Sequence, residues 1–159
     1  MLEENLHWKP KWKITKYLND EDKKNNKPYA VDEFDGNMLL SEGIGAMLTL
    51  MIGGAETAFS NANAQLGVGN SSVATATSQT DLQGGSTNWQ SMEATYPSVS
   101  GRTVTFQSEF GSTEANFLWH EFSVRNGASA DKNLNRRVTN KGTKSAGETW
   151  TLTLTITIT

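Results

Sequence analysis

The sequence predicts a mainly β fold: an antiparallel β-sandwich or jelly-roll-like domain with one packed α-helix and an extended N-terminal arm. Three observations carry this. Trp150 to Thr159 alternates large apolar residues with threonine, so Trp150, Leu152, Leu154, Ile156 and Ile158 share one face of a strand and the threonines share the other. Arg102–Phe110 and Phe117–Val124 are rich in aromatic and β-branched residues at strand length. Between the helix candidate and the first of these, residues 55–101 turn to Ala, Ser, Thr, Asn, Gln and Gly, the usual composition of long loops joining short strands.

The 159 residues correspond to one domain, read as residues 36–159, preceded by an arm over residues 1–35. At this size about 70% of the unfolded surface is buried on folding, so no disulfide or metal is needed as a staple. There is no cysteine, which excludes disulfides, thiolate nucleophiles and Cys-ligated zinc. The net charge of −3 names no partner, but its distribution is informative. Half of the basic residues are Lys9, Lys11, Lys13, Lys16, Lys23, Lys24 and Lys27, and the next base is Arg102. A middle without cations cannot track a phosphate backbone, so no nucleic-acid partner is expected. The absence of cysteine fits assembly in the cytoplasm, and the N-terminus shows no signal-peptide pattern.

In chain order, the arm carries Trp8, Trp12 and Tyr17 among lysines, with alternation over Trp12–Tyr17 sufficient for one short strand. Two readings stand. The aromatics fold back onto the domain's own core, or the arm clasps a neighbour, with Trp8, Lys9, Lys11, Trp12, Lys13 and Tyr17 as the docking residues. Asn19–Lys27 is a charged, asparagine-rich run and reads as a solvated loop. Asn37–Ile52 is the helix candidate: Leu40, Ile44, Met47, Leu48 and Met51 form one apolar stripe, with Asn37 or Ser41 as N-cap and Gly53-Gly54 as the stop. Gly43 and Gly45 suggest that it packs closely on a sheet. It is too short, and too interrupted by glycine, for a membrane span. Gln65–Val68 is a short strand followed by a turn at Gly69-Asn70-Ser71; Asp81–Asn88 is a loop, and Pro97 and Gly101 bound another turn. Val104, Phe106 and Phe110 share a face. Phe117–Val124 is apolar on both faces, as a central strand or a subunit contact would be. Leu134–Val138 is a weaker strand, and Asn140–Glu148 turns the chain into the last one. That strand, uncharged and without proline, must pair within its own sheet or against another subunit.

The chemistry is that of a structural protein, and no enzyme is expected. The two histidines, His7 and His120, stand on unrelated elements without metal-ligand spacing. Asp20-Glu21-Asp22 lacks the glycine of a calcium loop. Gly43-Ile44-Gly45 and Gly67-Val68-Gly69 are not followed by the Gly-Lys-Ser/Thr of a phosphate cradle. Paired carboxylates could be assembled from Glu109, Glu114 and Glu121, as almost any β protein would permit. Glu121, beside Phe117 and Trp119, would need a partner if buried, and Arg125, Arg136 or Arg137 can supply it as a structural salt bridge. No cofactor and no metal is expected.

The spacing nevertheless carries a resemblance. Asn37-Met38-Leu39-Leu40 with Gly43, the helix ending in Ile52-Gly53, and Gly67-Val68-Gly69 form a first block. Thr80-Asp81-Leu82-Gln83-Gly84 and Tyr96-Pro97 form a second. Phe110, Glu114-Ala115-Asn116, Trp119, Glu121, Leu134-Asn135-Arg136, Lys144 and Trp150-Thr151-Leu152 complete it. Over residues 37–159 the chain resembles a family of small virion structural proteins of tailed bacteriophages. The resemblance implies a non-enzymatic part of a particle. It is most like a head decoration or cement protein on the outer surface of a shell of major capsid protein, as a homo-oligomer with a trimer favoured, and with no membrane. A tail, collar or fibre-associated component is the alternative. A third reading, from the residues alone, is a carbohydrate-binding sandwich using Trp89, Trp119 or Tyr96 as a stacking platform.

Overall fold

The computed structural model describes residues 4–129 and 131–159. Ten strands form two five-stranded antiparallel sheets packed face to face. The strands are β1 (Trp8–Tyr17), β2 (Ala30–Asp35), β3 (Met38–Leu39), β4 (Gln65–Gly69), β5 (Thr87–Ser91), β6 (Ser98–Ser100), β7 (Thr103–Phe110), β8 (Glu121–Arg125), β9 (Asn135–Val138) and β10 (Thr149–Ile158). Helix α1 (Asp20–Lys24) follows β1, and α2 (Ser41–Met51) follows β3. The first sheet has the order β2-β1-β10-β7-β6 and the second β3-β9-β8-β4-β5.

β10 takes the central place that its pattern demands. It pairs with β1 over ten rungs, Trp8↔Ile158 to Tyr17↔Thr149, and with β7 on its other edge. Every backbone group of the Thr/Ile/Leu run therefore has neighbours on both sides, so the strand offers no edge to another chain. Its apolar face and that of β1 supply Trp12, Ile14, Leu152, Leu154 and Ile156, each at most 1% exposed. Burial of such side chains stabilises by about 1.5–3 kcal/mol each before entropic costs. Phe106 and Phe110 of β7 and Phe122 and Val124 of β8 complete the centre of the core. Trp119 meets Trp150 edge-on at 4.9 Å and Trp12 meets Phe122 at 5.8 Å, which fixes how the sheets face each other.

The arm boundary at residue 35 is corrected by this topology. Residues 8–35 supply two strands of the sandwich, and β1 lies inside its sheet between β2 and β10. Lysines on alternate positions disguised it, because its outer face is polar while Trp12 and Ile14 point into the core. Asn19–Lys27, read as a loop, contains α1. Asn19 caps it by accepting from the Asp22 amide at 2.8 Å, and the acids fall in its first turn and the lysines in its last, as the helix dipole favours.

A second correction concerns residues 117–124. The strand starts only at Glu121; Trp119 donates its amide to the Gly142 carbonyl and accepts from the Lys141 amide, away from the β8 ladder. The break shifts the alternation, so Trp119 and Phe122 both enter the core while Glu121 faces outward. Strands β2, β3, β5 and β6 lie in stretches too polar or too short to read as strands.

Candidate docking surfaces

Glu121 and Arg136 are both 0% exposed beneath the loop that follows β4. Arg136 Nε donates to Glu121 Oε2 at 2.8 Å, and Nη2 lies 2.7 Å from the same oxygen. The Gln83 amide donates to Oε2 at 2.9 Å and the Gly84 amide to Oε1 at 2.7 Å. Arg136 Nη1 donates to the Val73 carbonyl and to Gln79 Oε1. The pair thus staples the loop to the second sheet, as the salt-bridge reading expected. Gly69 and Gly84 leave room for it: a Cβ on either would come within 2.8 Å of Glu121 Oε1. Arg125 instead binds Gln65 Oε1 through Nε and Nη2, pairs with Asp131, and lies over the Trp89 ring at 4.2 Å.

The residues weighed for catalysis do not converge. Glu109 faces Lys23 on the outer side of the first sheet, Glu114 accepts from the Gly111 amide in a loop, and Glu121 belongs to the staple. His7 bonds through its backbone to Thr159 and His120 to Gly69, at opposite ends of the sandwich. Among the described residues no group of His, Cys, Asp and Glu has the geometry to hold a metal, and no helix is long and apolar enough to cross a membrane. Of the stacking candidates, Trp119 is wholly buried, while Trp89 packs against Gly67 on one side and the Arg125 guanidinium on the other.

The six docking residues separate. Trp12 is 0% exposed, its indole N–H bonded to the Gly36 carbonyl at 3.1 Å, and Tyr17 is buried with its hydroxyl against Asn26. The reading in which the aromatics join the domain's own core holds for Trp12, whereas Tyr17 is covered on the outer face of β1, beside Lys13 and Thr15, by the segment that follows the strand. Trp8 is half-buried and lines a groove described below. Lys9, Lys11 and Lys13 are exposed on the outer face of β1. The register sets them beside the threonine face of β10: Lys9↔Thr157, Lys11↔Thr155 and Lys13↔Thr153. On the other flank Thr103 and Thr105 of β7 stand opposite Thr157 and Thr155.

The result is a rigid lattice of hydroxyls bordered by a column of lysines. Thr103 and Thr157 hydrogen-bond across strands at 2.8 Å, and Thr153 donates to Gln107 at 3.0 Å. Lys11 pairs with Glu33 at 3.1 Å, though both are half exposed, so the pair adds little stability. Towards α1 the face deepens into a cleft of about 360 Å³ over Thr151 and Thr153, walled by Lys13, Lys23, Glu93 and Gln107. Lys23 bridges Glu93 and Glu109 across its rim. Nearby, burial and the Glu148 carboxylate that accepts its hydroxyl at 2.7 Å push Tyr29 up to about 12. Burial lowers Lys16, whose ammonium lies over the Trp150 ring, and Lys144, which donates to Gly111 and Asn116.

A second, apolar surface was not foreseen. The stripe Leu40, Ile44, Met47, Leu48 and Met51 was expected to face a sheet. The stripe splits: Leu40 is fully buried and Met47 packs against the core beside the buried Gly43 and Ala46, while Ile44, Leu48 and Met51 stay outside. A Cβ on Gly43 would lie 2.4 Å from Leu134 Cα, so the helix backbone rests on the entry to β9. Ile44 is 38% exposed, Leu48 54%, Met51 75% and Ile52 81%. Helical spacing gave a correct stripe. It could not show which side of the helix the glycine would draw inward.

At the Trp8–Ile158 end of the first sheet lies a groove of about 360 Å³ whose lining includes the apolar Trp8, Val99, Val104, Ile156 and Ile158 together with Arg102 and Thr103. Trp8 and Ile158 form the last rung of β1 and β10 at that end. No protein-family model, curated protein or solved structure matches the chain.

Proposed function

We propose that the protein is a non-enzymatic virion structural protein of a tailed bacteriophage, a head decoration protein that binds and stabilises the shell of major capsid protein. Two supports meet here: the resemblance over residues 37–159 and the outer face of β1, β10 and β7. The observation that carries the reading is that face. Its lysines and threonines stand on the central strands of a five-stranded sheet, in fixed register, and β-branched threonine has little rotamer freedom to lose. A surface ordered before contact spends little entropy on association, which suits shallow adhesion to a repeating protein lattice. The lysine column complements an acidic patch on the shell and steers approach to it. In this reading the protein is assembled in the host cytoplasm and ends on the outside of the capsid.

The test is binding of the purified chain to particles that lack it. Copies in the hundreds per head, and heads that resist heat better once coated, are the expected results. Lys9→Glu, Lys11→Glu and Lys13→Glu together should lower occupancy at least tenfold, since rim charges act mainly on encounter and register. The three side chains are exposed, so the variant keeps its fold, checked by circular dichroism. A few copies confined to the tail would replace this reading with the tail, collar or fibre alternative.

A further inference from the structure

The edge of the sandwich where the chain passes from β2 to β3 holds an arginine that the fold does not use. On β8 and β9, Arg125 pairs with Asp131 and Arg136 with Glu121. Arg137 is half-buried and meets no carboxylate among the described residues, and its Nε is shut off from solvent with no acceptor in reach. The side-chain Nδ2 of Asn37 is in the same condition. Both residues line one recess of about 230 Å³. Buried donors are rarely left without an acceptor, because the lost hydration is not repaid. The topology explains why the recess exists. β3 pairs only Met38↔Arg136 and Leu39↔Asn135, and just before it Gly36 turns with φ +87° to bring the chain over from β2. Beyond Arg136 the edge of β9 therefore has no strand beside it on that side. The Arg137 guanidinium lies against the turn, with Nε 3.8 Å from where a Gly36 Cβ would stand.

The donors select the chemistry of the ligand. No acid lines the recess, and Thr75 adds a hydroxyl to the guanidinium and the amide. Arg136, the other cation there, is already neutralised by Glu121. One uncompensated positive charge balances one negative charge, which favours a carboxylate over a phosphate group carrying nearly two. The flat guanidinium presents paired N–H groups at the spacing of carboxylate oxygens. Met38 and Val138 supply apolar walls for the carbon that bears the group. We infer that the recess is a binding site for a single carboxylate, taken by the Arg137 fork and held from the side by Asn37 Nδ2. The group arrives on a small free acid or on an acidic side chain of another protein; the chemistry is shared, and the test separates the sources. The inference does not depend on the virion reading, since Lys9, Lys11 and Lys13 lie outside the recess.

The experiment titrates the isotope-labelled full chain with acetate by NMR, exchanging it for chloride at constant ionic strength. The Arg137 Nε–H and Asn37 side-chain amide signals should move together along one saturating curve, half-complete on the order of millimolar acetate, the strength open to so small a ligand. Arg137→Lys keeps the charge without the fork and should weaken binding by about tenfold. Arg137→Met should abolish saturation. Because the guanidinium bonds to nothing in the described chain, the Met variant should keep its circular dichroism spectrum and a thermal midpoint no lower than wild type. Inorganic phosphate should bind more weakly than acetate. A blocked Gly-Glu-Gly peptide separates the sources: saturation with it as with acetate assigns the recess to an acidic side chain of a partner protein, and saturation with acetate alone assigns it to a free acid. Signals that follow ionic strength without saturating overturn the inference. So do saturation that survives Arg137→Met, phosphate binding tighter than acetate, or an Arg137→Met chain that no longer folds. The Lys9, Lys11 and Lys13 glutamate variant should bind acetate as the wild type does, so failure of the capsid reading and failure of this one are told apart.

Discussion

Glu121 and Arg136 occupy a layer where neither sheet nor solvent would accept a lone charge. Each is fully buried, and each is surrounded by groups that fit only its ionised form: two backbone amides for the carboxylate, a carbonyl and an amide oxygen for the guanidinium. Glu121→Gln keeps the shape, removes the countercharge, and turns an amide N–H₂ toward donors. It is expected to lower stability by about 3–5 kcal/mol, the cost of leaving a buried partner uncompensated, read as a fall in the urea midpoint at unchanged slope. That Glu121 would need a partner if buried was legible, and Arg136 was among three candidates, but its burial was not legible, since it lies beneath the loop after β4 and not on the Trp119 face. The choice among them was not, because it depends on which strand pairs with β8. Gly67 was legible as part of a strand and Gly69 only as a turn residue, and in neither case was the reason for glycine visible. Both are strand residues whose missing side chains admit Trp89 and Glu121, a requirement imposed by distant parts of the chain.

At the level of elements, strands whose two faces differ in polarity announced themselves: β4, β7 and β10 lie within a residue or two of where alternation put them. β1 was half legible. Its alternation was visible, and its lysines drew attention to the outer face while Trp12 and Ile14 decided its place. Helix α2 shows the limit of periodicity, since the stripe fixed the helix and the glycine fixed its orientation. Two glycines two residues apart make this testable. Gly43→Ala must push its Cβ into the Asn133–Leu134 backbone, which cannot yield as a flexible side chain would, and should destabilise by about 1–3 kcal/mol, as overpacking does. Gly45, exposed and with nothing near its missing Cβ, should gain about 0.5–1 kcal/mol as alanine, from helix propensity alone. Thermal unfolding of the two variants, with opposite shifts, checks the orientation of α2. Equal shifts would mean that the helix does not rest on β9.

The whole molecule is closed by a pairing of nearly maximal sequence separation, β1 with β10, and this sets how it responds to truncation. Residues 4–6 lie outside the ladder and are exposed, so their removal should leave the fold intact. Removing residues 1–18 takes away Trp12, Ile14 and Tyr17, leaves β2 without the strand that joins it to the sheet, and opens one edge of β10 along its whole length. Three buried side chains at about 1.5–3 kcal/mol each already match much of the 5–15 kcal/mol by which domains of this size are stable. The bared edge would then be an uncharged Thr/Leu/Ile run without proline, the sequence type that pairs with copies of itself. The shortened chain is therefore expected to be found as insoluble β-rich aggregate with thioflavin binding, rather than as a soluble domain lacking one contact. A soluble, cooperatively unfolding product would show that β1 is dispensable and would return residues 8–17 to the role of an arm. Addition of a synthetic peptide spanning residues 4–18 during refolding provides the complementary measurement: recovery of native circular dichroism in its presence, and none with a peptide carrying Trp12→Ala and Ile14→Ala, would show that the sandwich is completed by the apolar side of this strand and leaves its lysines to face outward.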